Sequence, residues 1–210
     1  MDLKRKNKKI YFYSLSLMII GSSLIIGKCL YRYNFNIKNN KQIEEYFTSP
    51  IIINESNNKL TNEIKKQVKT NNNQNNEKYI SVLEIPKISL KVGIYDKKSK
   101  LNNVNKNIYL LNESNMPNEE NGNFILAAHS GNSNISYFKN LPKLIINDIA
   151  YVYYEGIKYK YKLVNNYEVD KTGKIAIVRN LEKNTMTLIT CKRNTDKQLV
   201  FIFEIMKDGD

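Results

Sequence analysis

Ile10 to Gly27, IYFYSLSLMIIGSSLIIG, is a run of 18 residues without a charge, closed by Lys9 on one side and Lys28 on the other. As a helix rising about 1.5 Å per residue it reaches about 27 Å, close to the thickness of a bilayer's hydrocarbon core. The segment before it holds Lys4, Arg5, Lys6, Lys8 and Lys9 against one acid, Asp2. Basic flanks stay in the cytoplasm. The sequence therefore predicts a cytoplasmic tail over 1–9, a single-pass transmembrane anchor over 10–28, and the remainder outside the cell. The run is long for the core of a cleaved signal peptide, and no clean small-x-small site follows it. Lys28 stands before Cys29 where a lipoprotein signal needs a small residue, so Cys29 reads as a thiol at the membrane edge.

The chain has 210 residues, 41% apolar and 25% charged, which suits one packed domain with appendages. Its net charge is +13, of which the first nine residues carry +4 as an orientation signal. The rest is dispersed and forms no dense Lys/Arg block. For a domain facing outward, this argues against a nucleic-acid partner and leaves the cell membrane as the partner implied by the anchor. Residues 29–78 are polar and rich in Asn and Lys, and read as an extracellular tether. Short helices are expected within it at Lys41–Phe47 and Leu60–Lys69, followed by the low-complexity stretch TNNNQNNE.

A domain is expected over 79–210, built mostly of strands. Tyr79–Ile85 is a β-rich run stopped by Pro86. Ile88–Tyr95 is a second, with Gly93 as a bulge position. Asn123–Ala128 is short and apolar, as a buried strand would be. Ile149–Tyr154, Glu155-Gly156 and Ile157–Leu163 form a hairpin pattern. In its second arm Ile157, Tyr159, Tyr161 and Leu163 alternate with Lys158, Lys160 and Lys162. Met186–Cys191 and Gln198–Met206 supply two more strands, and Tyr137–Leu141 a helical turn. Many short strands with few helices predict a barrel or sandwich.

This domain contains one histidine, His129, and one cysteine, Cys191, each at the end of an expected strand. So few Cys and His exclude a four-ligand zinc site built from them alone. Outside the membrane, a Cys/His pair suits acyl transfer, with the thiolate attacking and the imidazole protonating the leaving amine. A single buried Cys is more often inert and a lone His is usually a satisfied polar residue, so the residue types alone leave both readings open.

The local sequences go further. TLITC at Thr187–Cys191 resembles the TLxTC signature of sortases. AAHS around His129 is similar to that family's strand-end histidine segment. LEIPKISLKVGIYD at Leu83–Asp96 resembles its first barrel strands. The three segments fall in family order, and the resemblance covers about 79–206. It implies a mostly β, closed eight-stranded sortase-like barrel with short helices. It also implies a membrane cysteine transpeptidase that cuts an LPxTG-like carboxyl-terminal sorting signal of surface proteins between Thr and Gly. Cys191 would carry the acyl thioester and His129 would be the acid and base. An amine such as a peptidoglycan precursor would be the acceptor. No cofactor and no metal are implied.

The family's arginine, at the start of the strand after the cysteine, has no direct counterpart. Gln198 holds that place in KRNTDKQLVF. Arg193 in the intervening loop is the expected catalytic arginine, with Arg179 and Gln198 as further substrate contacts and Thr190 beside the nucleophile as another. Some relatives bind calcium near the groove. Glu113, Glu119, Glu120 and Glu168 lie in roughly suitable regions, but their spacing defines no cluster of six or more oxygens. The loop Lys171–Lys183 is where the resemblance places signal recognition. A pilin-type enzyme would be expected to carry a carboxyl-terminal anchor, whereas this chain ends at Asp210; a housekeeping or class D-like enzyme fits better. A hydrolytic cysteine peptidase and a silent binding module on the same barrel are the alternatives.

Overall fold

The structure, a computed structural model, describes residues 2–48 and 77–206. They belong to two compact units that divide between Lys41 and Gln42. The first unit is helical. Helix α1 spans Asp2–Thr48 and is, among the described residues, the one helix long and apolar enough to cross a membrane. Its apolar residues, among them Leu17, Met18 and Ile25, are exposed, as they would be on a lipid-facing surface. Serines are tolerated inside the run because each hydroxyl has a partner within the helix. Ser14 donates to Tyr11 O (2.9 Å), Ser22 to Ile19 O (2.9 Å) and Ser23 to Ile20 O (2.8 Å).

The helix continues 20 residues beyond the expected end of the anchor. Residues 29–48 contain neither Pro nor Gly, and Pro50 is the first residue that disfavours continuation. The expected helix Lys41–Phe47 is thus the end of α1. Leu60–Lys69, and the Asn-rich stretch up to residue 76, lie outside the described residues.

The second unit begins with the last turns of α1. Ile43 is buried, Tyr46 Oη donates to Tyr153 O (3.0 Å), and the Phe47 ring meets the Tyr153 ring edge-on at 5.0 Å. Eight strands follow: β1 Tyr79–Ile85, β2 Leu90–Tyr95, β3 Tyr109–Leu110, β4 Asn123–Ala127, β5 Ile149–Tyr154, β6 Ile157–Asp170, β7 Thr185–Cys191 and β8 Lys197–Ile205. They form one sheet in the order β2-β1-β5-β6-β8-β7-β4-β3. The sheet curls into a nearly closed barrel, with the side-chain amide of Asn107 donating to Gly93 O (2.8 Å) between its two edges. Single 3-10 turns occur at Pro86–Ile88 and Leu141–Lys143.

Three departures from the sequence pattern have physical causes. The irregularity between β1 and β2 falls between Tyr79 and Ser81, not at Gly93. Gly93 is required because a Cβ there would lie 2.0 Å from Cδ2 of Tyr79, inside the ring's contact distance. Strand β6 runs on to Asp170 because a register shift between Leu163 and Asn165 ends the clean alternation without ending the strand. Strand β3 is two residues long, too short to leave a period.

Interior and exterior faces alternate along β7 and β8. Met186 and Leu188 join Phe201 and Phe203 in the barrel core. Ile189, Val200 and Ile202, with Ile125 from β4, are also buried but lie outside that core cluster, and form an apolar layer on the outer face. Cys191 shares the face of Ile189, two residues on, so it sits at the end of this outer layer.

Candidate active site

Strands β4 and β7 are parallel, with Ala127 opposite Ile189. Two residues beyond that rung in each segment stand His129, just past the end of β4, and Cys191, the last residue of β7. Neighbouring strands lie about 4.8 Å apart, so this register brings imidazole and thiol to the same end of adjacent strands. Both residues are half-buried. The strand ends are fixed by Ala128 N donating to Ile189 O (3.2 Å) and by Phe138 N donating to His129 O (3.1 Å).

Thr190 is buried, and its hydroxyl donates to Ala128 O at 2.8 Å. The alternation of β7 turns it away from the face of Cys191. The hydroxyl ties together the strand ends that precede His129 and Cys191.

Gln198 is the cross-strand partner of Cys191 on β8, and Val169 is the partner of Gln198 on β6. The three residues occupy one rung and one face. Arg193 is exposed in the β7–β8 turn, outside that rung. Arg179 donates to Asn180 O (3.1 Å) and Lys183 O (3.4 Å), so its guanidinium is engaged by its own loop. Of Arg193, Arg179 and Gln198, Gln198 is the one registered on Cys191.

Two features were not legible in the sequence. Asn105, in the β2–β3 loop, places Oδ1 3.2 Å from Nε2 of His129. Tyr167 lies two rungs from the site on the same face, paired with Val200 and hence in line with Ile189. Its hydroxyl donates to Ala176 O (2.9 Å) and accepts from Val178 N (2.8 Å), which pins the β6–β7 loop.

The candidate calcium acids that form described contacts have other partners. Glu168 accepts from Lys192 Nζ at 2.6 Å and lies 3.9 Å from Lys197 Nζ. The hydrogen bond from Lys192 is the main cause holding its carboxyl below the ordinary glutamate value. Glu119 accepts from Met116 N and Asn115 Nδ2, and its carboxyl is lowered in the same sense, first by the Met116 bond. No group of three or more acidic, His or Cys side chains suited to a metal occurs among the described residues.

Fold and site together define a class: a β-barrel presenting a thiol and an imidazole at the ends of two adjacent parallel strands. The Sortase domain model matches residues 83–203, and the chain belongs to the sortase family of cysteine transpeptidases. Similar solved structures include a sortase D5 transpeptidase of Clostridium perfringens, at 24% identity over 62% of this chain and 80% of that one, TM-score 0.53. A lid mutant of sortase A from Corynebacterium diphtheriae is 22% identical over 61% of this chain and 70% of that one, TM-score 0.55. Sortase C2 of the group B Streptococcus pilus island 1 is 25% identical over 61% and 74%, TM-score 0.53. These neighbours span several sortase classes. No curated protein matches the chain.

Proposed function

We propose that this protein is a membrane-anchored transpeptidase that works through an acyl thioester on Cys191. The observation that supports the reading is the parallel register of Ala127 with Ile189, two residues before His129 and Cys191 respectively. His129 takes the thiol proton of Cys191 as the sulfur, now a thiolate, attacks the Thr carbonyl carbon of an LPxTG-like signal on a surface protein. The carbonyl π pair moves to oxygen. As the tetrahedral species collapses, the Thr–Gly C–N bond breaks and the His129 imidazolium gives its proton to the departing amine. An amine acceptor, such as a peptidoglycan precursor, then attacks the thioester carbonyl. His129 takes the proton of the incoming amine and Cys191 leaves as thiolate. Gln198, the cross-strand partner of Cys191, serves as an uncharged donor to the developing oxyanion, a role for which preorganised amides are suited. Helix α1 anchors the enzyme, with the basic residues 2–9 on the cytoplasmic side and the barrel outside.

The test uses the full chain in detergent with a pool of LPxTG-like peptides and hydroxylamine. A Thr-hydroxamate product that disappears in Cys191→Ala is the expected result. Free acid alone, with hydroxylamine present, would replace the transferase by a hydrolase. An active Cys191→Ala enzyme would overturn the mechanism.

A further inference from the structure

We propose that Asn105 is the positioning residue of His129: its Oδ1 accepts a hydrogen bond from Nε2–H, fixes one tautomer of the imidazole and reserves Nδ1 for proton exchange with the reacting atoms. The contact is the 3.2 Å approach of Asn105 Oδ1 to His129 Nε2. A carbonyl oxygen only accepts, so the hydrogen in this contact is on Nε2. A neutral imidazole bonded in this way has its remaining lone pair on Nδ1.

The loop that delivers Asn105 is built to hold it. Asn102 is buried and imitates a strand partner of Leu110, accepting from Leu110 N (2.7 Å) and donating to Leu110 O (3.0 Å). Asn107 is buried and donates its amide to Gly93 O on β2 (2.8 Å). Between these two fixed points, Asn103 O accepts from Asn107 N (2.8 Å), and Asn103 Oδ1 accepts from Asn105 N (2.9 Å). Three asparagines thus hold the backbone on both sides of the fourth, in a turn that short amide side chains favour. On the other side, His129 is held by its backbone bond to Phe138. Two independently anchored backbones therefore meet at the Asn105–His129 contact. Asn105 is exposed, and the bond lies at the surface of the domain.

The role deepens the transpeptidase reading, and one of its tests is independent of that reading. His129 is the only histidine in the chain, so ¹⁵N-histidine labelling of the full chain in detergent micelles reports a single imidazole. The expected spectrum shows hydrogen on Nε2, protected from solvent exchange, with Nδ1 unprotonated. Asn105→Ala should lose the protection, and Asn105→Asp, which keeps an acceptor oxygen, should retain it. In the hydroxamate assay Asn105→Ala should lower kcat about tenfold with KM unchanged, the pattern of a group acting in the chemical step. Hydrogen on Nδ1 in the wild-type protein would overturn the proposal. So would equal protection in wild type and Asn105→Ala. Should no peptide be turned over, the proposed function fails while the spectra still decide the role of Asn105.

Discussion

Gln198 stands directly across the β7–β8 ladder from Cys191, on the same face. Directly paired antiparallel residues have Cβ atoms about 5 Å apart, within reach of a Gln amide for an oxygen on a carbon bonded to the sulfur. Replacing Gln198 by Ala should therefore lower kcat about 10²-fold, as loss of an oxyanion donor does. Gln198→Arg keeps donors at that rung and should exceed Gln198→Ala by at least about tenfold. Arg193→Ala, in the exposed turn, should stay within about twofold of wild type on the same donor argument. Steady-state hydroxamate formation by the three variants decides this; a greater loss in Arg193→Ala than in Gln198→Ala would exchange their roles.

Tyr167 reaches the outer face because the register shift after Leu163 places it opposite Val200. Its hydroxyl holds the loop at Ala176 and Val178. Tyr167→Phe keeps the ring and removes both bonds. We expect KM for a signal peptide to rise about tenfold with kcat little changed, since two hydrogen bonds at about 1 kcal/mol each order the loop. Alkylation of Cys191 by iodoacetamide should be unaffected. A fall in kcat without a change in KM would contradict a role in loop ordering.

Tyr161 fills the barrel core, and its hydroxyl is buried with no hydrogen-bond partner among the described residues. Burial is also the main cause pushing its phenol well above the ordinary tyrosine value. Removing an unsatisfied buried hydroxyl relieves a desolvation cost of about 1 kcal/mol or more. Tyr161→Phe should accordingly raise the thermal midpoint of the barrel by a few degrees. A lower midpoint would mean that the hydroxyl has a partner of its own.

Glu168 joins β6 to the β7–β8 turn through Lys192 and to the start of β8 through Lys197. Its carboxyl is lowered in the folded state, so its contribution is present above the unfolded glutamate value and is lost as pH falls through the lower folded value. The group is exposed, so the effect is small and screened by salt. Protection of the turn amides near Cys191, taken relative to the intrinsic exchange rate at each pH, should fall as the solution is acidified through that range. Glu168→Gln should show the faster exchange at neutral pH already. Identical exchange in the Glu168→Gln variant and the wild type would remove the clamp.

What the sequence alone determined is local. The uncharged run, the strand-rich pattern and the segments around His129 and Cys191 are contiguous, and each carries its signal within a few residues. What lay between those signals was decided by contacts. The continuation of α1 to Thr48 depended on the lack of a breaker before Pro50, which a compositional reading of residues 29–48 as a polar tether passes over. Thr190 looked like part of the site by adjacency, yet strand alternation and the carbonyl of Ala128 turn it inward. Closeness to Cys191 in the sequence singles out Arg193. The antiparallel register sets Gln198 beside Cys191 and leaves Arg193 in the turn. Asn105 precedes His129 by 24 residues, in a loop whose asparagines look alike in sequence. Only the closure of β2 toward β3 and the parallel pairing of β4 with β7 bring its amide to the imidazole, because side-chain geometry across strands is set by register and not by distance along the chain.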